Sequence, residues 1–153
     1  MNREALIDYS KGDDLRRFWK LFRRRENTKN RFVKRWLTFF LCRMAHRHGG
    51  YIGPGAIIDA VPSLPHGIHG VYISRYAHIG SGCRIYQNVT IGEVGGKAPI
   101  VGDNCLIGAG AILVGAIKVG NNVKIGAGAV VSADVPDNCT VVTMPPRFII
   151  KEQ

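Results

Sequence analysis

Between Val101 and Pro136 the chain repeats every six residues, reading VGDNCL, IGAGAI, LVGAIK, VGNNVK, IGAGAV and VSADVP. Each unit opens on Val, Ile or Leu and carries Cys, Ala, Ile, Val, Ala or Val four places later. A unit this short cannot bury its own apolar residues, so successive units must stack over one shared core. The pattern extends upstream with changes of phase. Ile52 and Ile58 share one phase, Ile73, Ile79, Ile85 and Ile91 a second, and the units from Val101 onward a third. Each change marks an insertion. The first lies between Asp59 and Ile73 and contains Pro62, Pro65, His66 and His69; the second lies between Gly92 and Val101 with Gly95-Gly96-Lys97 at its centre. Insertions in a stacked repeat protrude from it and commonly carry function.

The first fifty residues follow a different period. Leu15, Phe18, Trp19 and Phe22 recur at three- and four-residue spacings, which predicts helix from Asp13 to Arg47. Asp13 or Asp14 can cap its start, Gly49-Gly50 stops it, and the stretch Glu26 to Asn30 divides it in two. The second helix mixes Phe32, Trp36, Phe39 and Phe40 with basic residues. The expected organisation is a basic helical segment over 1–50, a repeat domain over 51–136 and a closing tail over 137–153. No apolar stretch reaches the roughly 20 residues of a membrane-spanning helix.

Charge sharpens this division. The 153 residues carry a formal net charge of +10, of which residues 1–50, with 14 Lys or Arg against five Asp or Glu, hold nearly all. The helices therefore read as a solvated cap on one end of the stack or as a peripheral contact with an anionic membrane surface. No nucleic-acid-binding module accompanies them, so no nucleic-acid partner is expected. Four cysteines without a secretory signal point to reduced thiols and a cytoplasmic protein. Cys83 and Cys105 fall at the fifth place of their units and read as core; Cys42 lies in the basic segment and Cys139 in the tail. No His/Cys spacing suits zinc, and no metal is expected.

The units IGPGAI, IGSGCR, IGAGAI and IGAGAV resemble those of the hexapeptide-repeat acyltransferases. The series PHG, IYQNVTIG, a Gly-rich loop, IGAGA, VKIGAGAVV and MPPR, from Tyr51 to Ile149, is similar to their serine O-acetyltransferase-like branch. The resemblance implies a mainly β fold, a left-handed parallel β-helix of triangular section with three hexapeptides per coil, preceded here by the α-helical segment. It also implies a homotrimer with acetyl-CoA in clefts between neighbouring prisms.

Moving an acetyl group from a thioester to a hydroxyl requires a base for the hydroxyl proton and donors for the developing oxyanion; imidazole and Gly-rich backbone suit these tasks. By its match to the family, His66 is the candidate catalytic base. His69, three residues on, is the alternative or a substrate contact, and His78 reads as a surface or interface residue. His46 and His48 end the second helix, where a cation is favoured. The family's acidic partner of the catalytic histidine falls at Tyr51 here; Asp59 is the nearest acid and either substitutes or forms a turn. The family's second histidine falls at Ala98. For the cofactor, the resemblance implies backbone contacts at Ala109 and Ala127, with Lys124 and Arg147 as cations for its phosphates; Gly92 and Lys97, at the second insertion, are further candidates. Gly95-Gly96 lacks the GK[ST] that a phosphate-binding P-loop needs.

The expected activity is acetyl-CoA-dependent O-acetyl transfer to a small-molecule hydroxyl. Because the family's acid and second histidine are replaced, a sugar or saccharide precursor of a surface polysaccharide is the expected acceptor. Serine O-acetylation in cysteine biosynthesis is the alternative, and a non-catalytic β-helix that binds or assembles is the rival from another class.

Overall fold

A computed structural model describes residues 15–145 and 149. Helices α1 (Arg16–Asn27) and α2 (Arg31–Arg47) precede fourteen short strands. The break between the helices has a local cause: the Asn30 side chain accepts from the N–H groups of Phe32 and Val33, capping α2. Asp13 and Asp14 lie outside the described residues. Leu15 occupies the N-cap of α1 and offers no side-chain acceptor.

The strands form three parallel sheets. The first stacks β1 (Tyr51–Ile52), β4 (Tyr72–Ile73), β7 (Thr90–Gly92), β10 (Ile112–Val114) and β13 (Val130–Val131). The second stacks β2 (Ile57–Ile58), β5 (His78–Ile79), β8 (Ile100–Val101) and β11 (Lys118–Val119). The third stacks β6 (Arg84–Ile85), β9 (Leu106–Ile107), β12 (Lys124–Ile125) and β14 (Thr140–Val141). Strand β3 (Pro65–Ile68) lies in the first insertion. The chain visits the three sheets in turn, so each coil sits on the one before. The result is a mainly β, left-handed parallel β-helix of about four turns with two helices at its N-terminus.

The six-residue period is the period of burial. Ile52, Ile73, Ile91, Leu113 and Val131 descend the inside of the first sheet in register, and all are buried. Fifth-place residues such as Ala77, Cys83, Val89, Cys105, Ala111 and Val123 are buried at the corners. Neither insertion disturbs this core: Ile58 still pairs with Ile79 and Ile79 with Val101, so the extra residues leave the prism at a corner. Val135 bridges Val119, and the ladder continues past Pro136, where the hexapeptide pattern fades, as β14 pairs with β12. At the other end Phe18, Trp19, Phe22, Leu41 and Ala45 join the same apolar cluster as Ile52 and Ala56. The helices thus cover apolar surface that the first coil would otherwise expose to water.

Candidate active site

Two corners of the prism are turned by residues with positive φ, and they meet that demand differently. Where the second sheet leads to the third, Gly82, Asn104, Asn122 and Asn138 hold it, with φ of 71°, 56°, 56° and 61°. Asn tolerates this region because its short polar side chain bonds locally. Beside it runs a polar ladder: Ser81 N–H donates to Asp103 Oδ1 at 2.7 Å, Asp103 N–H to Asn121 Oδ1 at 2.8 Å, and Asn121 N–H to Asp137 Oδ1 at 2.7 Å. The edge satisfies its own donors.

Where the third sheet returns to the first, the corner residues are Gly70, Asn88, Gly110 and Gly128. Around Gly110 and Gly128 a Cβ would meet nothing within 4 Å, so backbone there faces open space. Ala109 and Ala127 precede these glycines, and no side chain among the described residues covers their N–H groups. Lys124 is exposed in β12 of the third sheet, which leads into this edge.

The first insertion crosses the top of this bare edge. Gly67 turns the chain with φ of 61°, its N–H donating to Leu64 O at 3.0 Å, and leaves Pro65 and His66 exposed. The His66 ring lies 6.0 Å from that of Tyr86 at an interplanar angle of 50°. Next to Tyr86, the side-chain oxygen of Gln87 is buried without a hydrogen-bond partner among the described residues. Sequence reasoning passed over Tyr86 and Gln87; their place in the motif IYQNVTIG was the available signal. His69 O accepts from Asn88 N–H at 3.0 Å, and its ring is beside Gly49 at the end of α2.

Asp59, the expected acidic substitute, and Tyr51, which stands at the family acid's position, are both engaged elsewhere. Asp59 pairs with His78, Oδ2 to Nε2 at 2.9 Å, across the second sheet. Tyr51 stacks on Tyr72 with ring centroids 5.0 Å apart. A hydrogen bond with the Tyr51 side chain, then Coulomb attraction to it, raises the Arg75 guanidinium above its ordinary value. Ser74, buried beside Arg75, bonds the Glu93 carboxylate through its hydroxyl.

The second insertion leaves at a different corner, between the first and second sheets. Val94 and Lys97 bond each other in both directions, at 2.9 and 3.1 Å, around Gly95 and Gly96 with φ of 60° and 75°. This is a two-residue β-hairpin turn of the kind two adjacent glycines favour. Its Lys97 is exposed and its Ala98 buried at 8%. Gly92 ends β7 at the root of this hairpin. Within one chain, His66, Ala109 and Ala127 therefore share one edge, with Lys124 on the sheet that leads into it, while Gly92, Lys97 and Ala98 occupy another. Arg147 lies outside the described residues.

The four thiols are free. Cys83 and Cys105 are buried one above the other and donate to Gly102 O at 3.2 Å and Gly120 O at 3.1 Å. A hydrogen bond with Cys105 and burial push the Cys83 thiol up, which favours its neutral form. No group of three or more His, Cys, Asp or Glu among the described residues is arranged to hold a metal ion.

Residues 98–133 match the family described as bacterial transferase hexapeptide (six repeats). The chain is 44% identical over 107 residues to a serine acetyltransferase of Synechococcus elongatus, covering 67% of this chain and 43% of that protein. It is 38% identical over 137 residues to one of Staphylococcus epidermidis, covering 87% and 61%. Among solved structures, Neisseria gonorrhoeae serine acetyltransferase in complex with serine superposes with a TM-score of 0.74 at 34% identity, over 84% of this chain and 54% of that one. The chain thus spans about half the length of the relatives it matches. By its repeat, its coils and its relatives, it belongs to the hexapeptide-repeat, left-handed β-helix acyltransferases, in their serine O-acetyltransferase-like branch.

Proposed function

We propose that this protein is an acetyl-CoA-dependent O-acetyltransferase whose acceptor is the hydroxyl of L-serine. The observation that carries the proposal is the exposed His66 at the head of an edge of bare backbone, in a chain 38–44% identical to serine acetyltransferases. The His66 imidazole takes the hydroxyl proton as the serine oxygen attacks the thioester carbonyl. The C–O bond forms, the C–S bond breaks, and His66 returns the proton to the departing sulfur. Uncovered N–H groups along the edge, at Ala109 and Ala127, hold the cofactor as it lies beside the coils, and Lys124 offers a cation to its phosphates. Because the hairpin bearing Lys97 stands at another edge, it reaches a His66 site only from a neighbouring prism. A homotrimer supplies that neighbour.

The saccharide acceptor expected from sequence is the second reading, and the relatives favour serine over it. One observation keeps it in play: Tyr51 is bound to Tyr72 and Arg75, and Ala98 carries no polar group, so the two family positions that would help a serine site are altered. Initial rates of CoA release with L-serine and with a panel of sugars separate the two. A serine kcat/KM of about 10⁴ M⁻¹s⁻¹ or more supports the proposal. A sugar preferred by roughly tenfold or more establishes the second reading, a difference of about 1.4 kcal/mol in transition-state binding. Acetyl-CoA binding without turnover of any acceptor identifies a non-catalytic binding protein.

A further inference from the structure

We propose that the outer face of α2 is a docking surface for an anionic lipid bilayer. The helix carries apolar residues on two opposite faces. Leu37, Leu41 and Ala45 are buried on one of them. The other presents Phe32, Trp36, Phe39 and Phe40, exposed to 77%, 64%, 56% and 50%. Three of these rings touch in a ridge: Trp36 stacks on Phe40 at 6.2 Å, and Phe39 meets Phe40 edge-on at 5.7 Å. Four large aromatics gathered on one helix face form the kind of apolar patch that marks an interaction site.

Charge selects the occupant. The seventeen residues of α2 include Arg31, Lys34, Arg35, Arg43 and Arg47 and no Asp or Glu. Arg43 and Arg47 follow the aromatic ridge at helical spacing, four and eight residues beyond Phe39, and so lie on its face. Arg35 lines a groove of about 480 Å³ with Phe32, Trp36 and Phe39. A second copy seated face to face would set these cations against their own kind. A bilayer with anionic headgroups accepts both chemistries at once, with rings at the acyl boundary and guanidinium groups at the phosphates. The contact is peripheral, since no helix among the described residues is long and apolar enough to cross a membrane. It lies outside the His66 edge and does not depend on the acetyl-transfer reading.

Flotation of the full chain with vesicles tests this. The chain should float with phosphatidylcholine vesicles containing about one quarter phosphatidylglycerol, should not float with phosphatidylcholine alone, and should release as salt rises. Tryptophan emission should shift to the blue on binding, and Trp36→Phe should abolish the shift while leaving the buried Trp19. The pairs Phe39→Ser/Phe40→Ser and Arg43→Glu/Arg47→Glu should each weaken binding by roughly tenfold or more with unchanged circular dichroism. Failure to float at low salt overturns the proposal, as does binding indifferent to both pairs. If either pair lowers the sedimenting mass in the absence of vesicles, the face belongs to a second copy and the proposal fails.

Discussion

Two edges of the same prism solve one conformational problem in opposite ways. The edge between the second and third sheets fills its left-handed positions with Asn104, Asn122 and Asn138 and covers its N–H groups with the carbonyls and carboxylates of Asn121, Asp103 and Asp137. The edge between the third and first sheets uses Gly110 and Gly128 beside Ala109 and Ala127 and is left bare. Both edges build coils equally well. Among the described residues, the N–H groups of Ala109 and Ala127 on the bare edge meet no side-chain acceptor, and His66 stands at its head. On the proposed function, stability and chemistry are divided between edges rather than between domains.

Four substitutions test that division. His66→Ala should lower kcat/KM by roughly 10² to 10⁴-fold with an unchanged thermal transition, as removal of a general base does; a change of less than about threefold would move the chemistry off this edge. Ala127→Asn should convert the bare edge towards the closed kind, its side-chain carbonyl taking the Ala109 N–H as that of Asn121 takes the Asp103 N–H. The site is exposed, so the fold should hold to within about 1 kcal/mol. The KM for acetyl-CoA should nevertheless rise by roughly tenfold, the equivalent of one lost hydrogen bond. Asn122→Ala on the closed edge should do the reverse. It places a Cβ without local bonding at φ of 56° and should cost about 1–2 kcal/mol in urea unfolding, with turnover of the folded enzyme intact. Asp59→Asn breaks a half-exposed pair with His78 and should cost less than about 1 kcal/mol, with kcat within twofold. A larger fall in kcat would tie Asp59 to His66 after all.

How much of this was legible in the sequence follows from what each feature rests on. The core was legible because inward-facing residues recur at the period of the coil, so Val101, Ile107, Leu113, Val119, Ile125 and Val131 announce themselves in linear order. The insertions were legible as changes of phase. Their corners were not, because a phase change gives the number of extra residues and says nothing of the face they leave. The pairing of Asp59 with His78 joins residues 19 apart on successive coils, a relation set by stacking that local pattern does not display. Strand β14 escaped notice because Thr140 and Val141 pair through backbone alone, without the Ile-Gly signature of the earlier units. The helix break at Asn30 was visible as a gap in the apolar period, while its cap needed the side-chain geometry.

The bare edge has one more consequence, which concerns length. Neighbouring strands lie about 4.8 Å apart, so each coil advances the prism by that step. From the level of His66, beside the first coil, to that of Ala127, beside β12 of the fourth, the edge spans three steps, or roughly 14 Å. The prism is therefore a ruler graduated in coils. On the proposed function, an extended arm lies along it with its reactive end at the histidine and its far end three marks away, and removing one coil of eighteen residues would shorten the scale by one mark.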